Sequence, residues 1–135
     1  MTGNALNLTL DSNPKNIAEV EPFVTQALRQ FDIREDLFGN MLITLTEAVS
    51  NAIIHGNRAR PNKHVYISTQ CSAGRICFLI RDEGNGFDPN ALPDPTAPEN
   101  ICVLGGRGVF LMRNLCDTVV FSDGGRTVEL SFCLS

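Results

Sequence analysis

A polar stripe runs through the otherwise apolar stretch from Met41 to His55. Thr44, Glu47, Asn51 and His55 are spaced three, four and four residues apart, which places them on one side of a helix. Solvated helix faces are normally rich in Lys, Arg and Glu, whereas Glu47 is the only charged side chain here at neutral pH. Because a lone buried charge is costly, these groups need partners. Either a ligand site or a satisfied structural network would provide them.

A second candidate site is Asp82–Phe87, which directly follows a predicted strand. Clusters of Gly and Asn are also ordinary turn residues, so a plain turn remains an alternative. As a site, Gly84 and Gly86 would let a flat ligand approach the backbone, and Asp82 would accept a hydrogen bond from an exocyclic amine such as that of adenine. The segment is not a dinucleotide fingerprint, because Pro89 stands where a third Gly would be needed.

The third candidate is the glycine-rich run Gly105-Gly106-Arg107-Gly108, which precedes a predicted short helix beginning at Val109. Consecutive glycines before a helix let backbone N–H groups converge on an anion. Arg107 could add a forked contact to phosphate oxygens. The run is not a Walker A loop, since no Gly-Lys-Ser/Thr follows. Gly-rich turns often precede helices, so this run alone does not identify a ligand.

The elements that must position these residues predict a single domain, since 135 residues fit one. Alternation and helical spacing give the order βααββ, a long loop, then αββ. This order predicts an α+β fold, a two-layer sandwich of a mostly antiparallel sheet with helices on one face. Pro22 should delay or kink the first helix. The predicted elements are a strand at Asn4–Leu10, a helix after Asn13 and Pro14, a helix from Arg34 to about His55, strands at Val65–Cys71 and Arg75–Arg81, a helix after Gly108, and strands at Thr118–Phe121 and Thr127–Leu134.

Composition narrows the function classes. Eleven basic and fifteen acidic residues give a net charge of −4, only two residues are Lys, and no basic patch is visible, which argues against nucleic acid and anionic membranes as partners. The five Cys residues have neither zinc-site nor disulfide spacing, which leaves a metal or redox protein as a minor alternative. No signal-peptide pattern and no run of about 18 apolar residues is present, so we expect a cytoplasmic protein.

Together, the three segments resemble the GHKL (Bergerat-fold) ATPase superfamily, and within it the small bacterial anti-sigma factor serine kinases. Glu47–Gly56 matches the N box of that family, Asp82–Phe87 its adenine-binding G1 box, and Gly105–Met112 its second glycine box. Thr127 stands where the family has a Thr near the adenine. The resemblance extends from about Leu6 to Phe132.

The resemblance implies ATP and Mg²⁺ as ligands. Asn51 would offer a carbonyl oxygen to Mg²⁺, and Glu47 would act as the catalytic base. His55 is interpreted equally well as a structural hydrogen-bonding residue. The proline-rich stretch Asp88–Leu104 would form a lid over ATP. The residues implied in ATP binding are Asn51, His55, Asp82, Gly84, Gly86, Phe87, Gly105, Gly106, Arg107, Gly108, Val109 and Thr127.

The function implied is that of a protein-serine/threonine kinase, formed by residues 1–135 as one ATP-binding domain. Such a kinase would phosphorylate a STAS-domain anti-anti-sigma protein and sequester a sigma factor, without contacting nucleic acid or membrane directly. A homodimer through the first strand and first helix is a further expectation from the family. The alternative is a non-catalytic ATP-binding regulator that switches partners. The presence of both Glu47 and Asn51 favours the kinase.

Overall fold

The computed structural model describes residues 5–72, 74–85 and 106–134, without the side chain of Arg107. Within these residues, five strands form one sheet in the order β1-β2-β3-β5-β4, and every neighbouring pair is antiparallel. The predicted α+β class and antiparallel sheet are therefore confirmed. The strands are β1 (Ala5–Asp11), β2 (His64–Ser72), β3 (Arg75–Arg81), β4 (Thr118–Ser122) and β5 (Thr127–Cys133).

The sheet buries one face, as its alternating sequence requires. On the central strand β3, Ile76, Phe78 and Ile80 are almost fully buried, whereas Leu79 points to the other face and is 40% exposed. The buried face of the sheet packs with the helices into one hydrophobic core.

In the described part of the chain, three α-helices accompany the sheet: α1 (Val20–Gln30), α2 (Phe38–Ser50) and α3 (Gly106–Leu115). A 3₁₀ turn at Pro14–Glu19 precedes α1, and the Asn13 side chain caps it by accepting a hydrogen bond from the Lys15 N–H. Pro22 lies in the first turn of α1, where its missing N–H costs no helical bond. The expected late start of this helix is confirmed.

The helix that carries the polar stripe changes from an α-helix to a π-helix part-way along the stripe, at Asn51. Residues Asn51–Gly56 continue α2 as a π-helix, which is a rare form found often at functional sites. Including its leading turn, the helical run Glu35–Gly56 has 22 residues and a window of mean hydropathy 1.4, so by length and composition alone it could cross a membrane. Here α2 lies between α1 and α3 and is part of the core. We therefore interpret it as a core helix.

The start of α3 differs from the sequence prediction in a way that matters for the site. The helix expected after Gly108 begins at Gly106, so both glycines lie within its first turn. The structural reason is the packing of α3 against α2, where Gly108 faces side chains that leave no room for a larger residue. Close packing at this contact outweighs the low helix propensity of glycine.

Candidate functional site

Two of the stripe residues meet the first turn of α3. Glu47 and Asn51 are both half-buried on α2 and its continuation. A Cβ placed on Gly108 would lie 2.7 Å from Asn51 Nδ2 and 3.1 Å from Glu47 Oε2. Because that one position adjoins both side chains, the carboxylate and the carboxamide lie together beside α3. This end of the site combines a general-base candidate with a neutral oxygen ligand.

The beginning of α3 adds backbone donors to the same end of the site. The first N–H groups of a helix have no partner within the helix and favour anions. With α3 starting at Gly106, those groups belong to the turn that contains Gly108, next to Asn51. Val109, also an expected ATP ligand, has a side chain that is 3% exposed and lies in the core. It could therefore reach a ligand only through its backbone.

The second end of the site lies where the π-helix meets the end of β3. A Cβ on Gly56 would lie 2.5 Å from Asp82 Cγ and Oδ2, and a Cβ on Gly84 would overlap the Gly56 carbonyl oxygen. Gly84 was expected to make room for a ligand. The structure adds another reason for this glycine, a close approach of two backbone segments, while Gly56 makes room for the Asp82 carboxylate.

Asp82 is 9% exposed and is held by two hydrogen bonds, one through its side chain and one through its backbone. Its Oδ1 accepts a hydrogen bond from the Gly84 N–H at 2.8 Å, and its own N–H donates to the Arg126 carbonyl at 2.9 Å. Burial raises the pKa of Asp82, while the Gly84 bond and the Arg126 charge act in the opposite direction. A buried carboxylate fixed in this way can select a hydrogen-bond donor on a ligand.

The remaining predicted residues occupy different places. Thr127 is 8% exposed and lies on β5, where it pairs with Arg81 of β3. Arg81 directly precedes Asp82, so Thr127 lies near that carboxyl group. His55 is half-buried on the π-helix, and burial lowers its pKa, which favours the neutral ring. Thr44 is fully buried and donates to the Asn40 carbonyl at 2.8 Å, so this stripe residue is structural.

Several expectations lie outside the described residues. These are the roles of Gly86, Phe87 and Gly105, the side chain of Arg107, and the lid at Asp88–Leu104.

Sequence reasoning missed two residues that hold the segment after β3. Asn57 is 1% exposed, and its Oδ1 accepts a hydrogen bond from the Glu83 N–H at 2.7 Å. Arg126 donates from Nε to the Gly84 carbonyl at 2.8 Å. In sequence, Asn57 closes a helix and Arg126 follows a turn, so neither position signals a contact 26 or 42 residues away.

Comparison with known proteins places this geometry in a family. Residues 10–132 match the model of the histidine kinase-like ATPase domain. The chain belongs to this ATPase family. An anti-sigma F factor from Halalkalibacterium halodurans is 32% identical over 120 residues, covering 86% of this chain and 81% of the relative. Another, from Bacillus cytotoxicus, is 31% identical and covers 98% and 94%.

A solved structure supports the same fold. The crystal structure of the RsbU and RsbW domains of Rv1364c from Mycobacterium tuberculosis matches with a TM-score of 0.69 at 16% identity. The match covers 96% of this chain but only 32% of that longer chain. The match to the histidine kinase-like ATPase domain implies ATP as the ligand, and the relatives are anti-sigma F factors. The expected resemblance is confirmed.

Both ends of the site now have an interpretation. Glu47 and Gly56 lie nine residues apart along one continuous helical run, which corresponds to roughly two helical turns. An extended nucleoside triphosphate can span that separation. The polar, glycine-bounded end at Asp82 suits a base, and the end at Glu47, Asn51 and Gly108 suits phosphates.

Proposed function

We propose that this protein is an anti-sigma regulatory factor that transfers the γ-phosphoryl group of ATP to a serine of a STAS-domain anti-anti-sigma protein. The observation that carries the proposal is the placement of Gly108 against both Glu47 and Asn51. It puts a carboxylate, a carboxamide and a helix N-terminus at one end of the site, as phosphoryl transfer requires. The anti-sigma F factor relatives support the regulatory role.

The residues present fit a nucleotide with Mg²⁺. Asp82 would read the exocyclic amine of adenine, with Thr127 nearby, and the first turn of α3 would hold phosphate oxygens. Asn51 would hold Mg²⁺ through its side-chain oxygen, leaving other positions to water and phosphate. In the described part of the chain, no group of three or more His, Cys, Asp or Glu could hold a metal, which agrees with an ion bound largely through the nucleotide. Bound Mg²⁺ would neutralise negative charge on the phosphates.

Glu47 performs the proton transfer in this proposal. The hydroxyl oxygen of the partner's serine forms a bond to the γ-phosphorus, the bond to the bridging β,γ oxygen breaks, and ADP leaves. The carboxylate of Glu47 takes the hydroxyl proton, an effect typically worth about 10²–10⁴ in rate. Gly108 lets α3 approach without displacing this carboxylate.

The partner assignments are part of the same proposal. The protein would hold a sigma factor in the cytoplasm and release it when the unphosphorylated STAS protein binds. Residues 1–135 would act as one ATP-binding kinase domain, with a homodimer through β1 and α1. No direct contact with nucleic acid or membrane is included.

The test is a phosphorylation assay with the cognate STAS protein, Mg·ATP and the wild-type chain, followed by phosphosite mapping. We expect a phosphoserine on the partner and at least a 100-fold lower rate for Glu47→Gln. Glu129→Gln is the matched control, because Glu129 lies on β5 opposite Leu79, whose side chain points to the face of the sheet away from the core.

Two outcomes would contradict the proposal in different ways. A Glu47→Gln variant with the parental rate would remove Glu47 as the base. Release of the partner on ATP binding, with no phosphoprotein formed, would instead support the non-catalytic regulator.

A further inference from the structure

The segment Asp82–Gly84 follows β3, and its backbone is held by hydrogen bonds. Their partners are residues distant in sequence and the Asp82 carboxylate itself. Arg126 binds both ends of the segment. Its backbone carbonyl accepts a hydrogen bond from the Asp82 N–H at 2.9 Å, and its side-chain Nε donates to the Gly84 carbonyl at 2.8 Å. Lys63 Nζ donates to the Glu83 carbonyl at 3.1 Å. A segment held at each residue offers a preformed surface to a ligand.

A further backbone group of this segment, the Glu83 N–H, is bound by Asn57. Its Oδ1 accepts from that N–H at 2.7 Å, while its Nδ2 donates to Ser12 Oγ and to the His64 carbonyl, each at 2.9 Å. The side chain is 1% exposed, so it makes these three bonds away from water. Only a carboxamide of this length offers one acceptor and two donors in this arrangement.

The position of Asn57 in the sequence also links it to Asp82. It directly follows Gly56, whose missing side chain makes room for the Asp82 carboxylate. The residue that Asn57 binds, Glu83, directly follows Asp82. One side chain therefore joins the end of the π-helix to the segment that carries the base-reading carboxylate, and it fixes their separation.

We propose that Asn57 is a positioning residue for adenine recognition, acting through Glu83 to hold the Asp82 carboxylate at the base. The inference rests on the proposed function in one respect, the assignment of Asp82 to the adenine amine. It does not depend on phosphoryl transfer, because Glu47 and Asn51 lie at the other end of the site.

A purely structural role for Asn57 makes a different prediction. Losing a buried hydrogen-bonded side chain lowers stability at any position, but it changes nucleotide selectivity only if the side chain orients the site. Thr69 provides the matched control. It is 1% exposed, lies in the middle of β2, and donates its only hydroxyl bond to the Cys77 carbonyl at 2.9 Å, away from Asp82.

The experiment compares wild type, Asn57→Ala and Thr69→Val by thermal unfolding and by titration with ATP and GTP. We expect both variants to unfold at lower temperature. Only Asn57→Ala should weaken ATP binding, by about tenfold, and lower the ratio of ATP to GTP affinity. The inference would be overturned if Asn57→Ala bound ATP and GTP with the same affinities as wild type. It would also be overturned if Thr69→Val lost as much ATP affinity as Asn57→Ala.

Ser12→Ala keeps the proposal testable if Asn57→Ala fails to fold. It removes the hydroxyl that accepts from Asn57 Nδ2 and that donates to the Lys63 carbonyl at 2.7 Å, and it leaves the bond between Asn57 and Glu83 in place. We expect a loss of ATP affinity of about two- to threefold, and an unchanged affinity would count against the inference. A wild-type protein that binds ATP but phosphorylates no partner would overturn the kinase proposal and leave this inference standing.

Discussion

Gly108 of α3 lies against Asn51 so closely that a Cβ at position 108 would be 2.7 Å from Asn51 Nδ2. Real Cβ atoms essentially never approach another atom so closely, so a larger residue must displace the carboxamide. The contact ties the position of the proposed Mg²⁺ ligand to the packing of two helices. It also gives the glycine a reason other than backbone flexibility.

The first prediction concerns this contact. Gly108→Ala should keep the fold, because the displaced atoms belong to the end of a side chain, but it should lower Mg·ATP affinity at least tenfold. Gly39→Ala is the control, since Gly39 is an exposed α2 residue with nothing within 4 Å of its Cβ position. Alanine there should stabilise the helix by about 0.5–1 kcal/mol. Nucleotide titration and thermal unfolding of both variants test this, and equal affinities would contradict it.

The second prediction ranks two glycines at the base end of the site. Gly84→Ala should destabilise the protein by about 2 kcal/mol or more, because its Cβ would overlap the Gly56 backbone, which cannot move aside. Gly56→Ala should cost less stability but more ATP affinity, since its Cβ meets the Asp82 carboxylate. Denaturant unfolding and ATP titration measure the two effects. A larger stability loss in Gly56→Ala than in Gly84→Ala would contradict the close approach of the Gly84 and Gly56 backbones.

The third prediction follows from the buried Asp82 carboxyl. Burial raises its pKa above the ordinary value of 3.8. Between the ordinary and the raised value, the folded state binds more protons than the unfolded state, so ionisation of Asp82 costs stability as the pH rises. The stability of wild type relative to Asp82→Asn should therefore be highest below pH 3.8 and fall as the pH rises through the folded-state pKa. Urea unfolding of both proteins across this range tests the sign, and a difference that grows with pH would contradict it.

The fourth prediction concerns Cys116, which lies after α3. Burial raises the pKa of its thiol to about 11, although a hydrogen bond with Thr44 lowers it somewhat. Because the thiolate is the reactive form, alkylation at pH 8 should be roughly 100-fold slower than for an ordinary thiol of pKa 9.0. Iodoacetamide labelling with peptide mass spectrometry measures the rate, and the same peptide in urea provides the control. Equal rates in the folded and unfolded protein would be inconsistent with the buried thiol.

Most of the fold could be predicted from local pattern. Alternating apolar residues marked β3, and helical spacing marked α2, because both elements bury one face against a common core. Pro22 gave the late start of α1 for a local reason, its missing N–H. The helix that begins at Gly106 was predicted to begin three residues later, at Val109, because glycine has a low helix propensity and the contact with Asn51 could not be read from sequence.

The site was predictable only in part. Glu47, Asn51 and Asp82 stood out because polar side chains interrupt apolar segments or follow a strand. Asn57 and Arg126 did not, because their partners lie 26 and 42 residues away and ordinary turn chemistry explains both residue types. The reason for Gly84 was also missed, since the approach of one backbone to another is a tertiary fact.

The bonds that hold Asp82–Gly84 come from residues 57, 63 and 126, so this short segment depends on two connections, 57–63 and 123–126, that the chain must bring together. Closing such loops costs chain entropy before the contacts compensate for it. During refolding, we therefore expect helix formation to precede the ability to bind ATP. ATP binding would then report the completed native state, because a partly folded chain would lack the assembled site and would not bind the nucleotide.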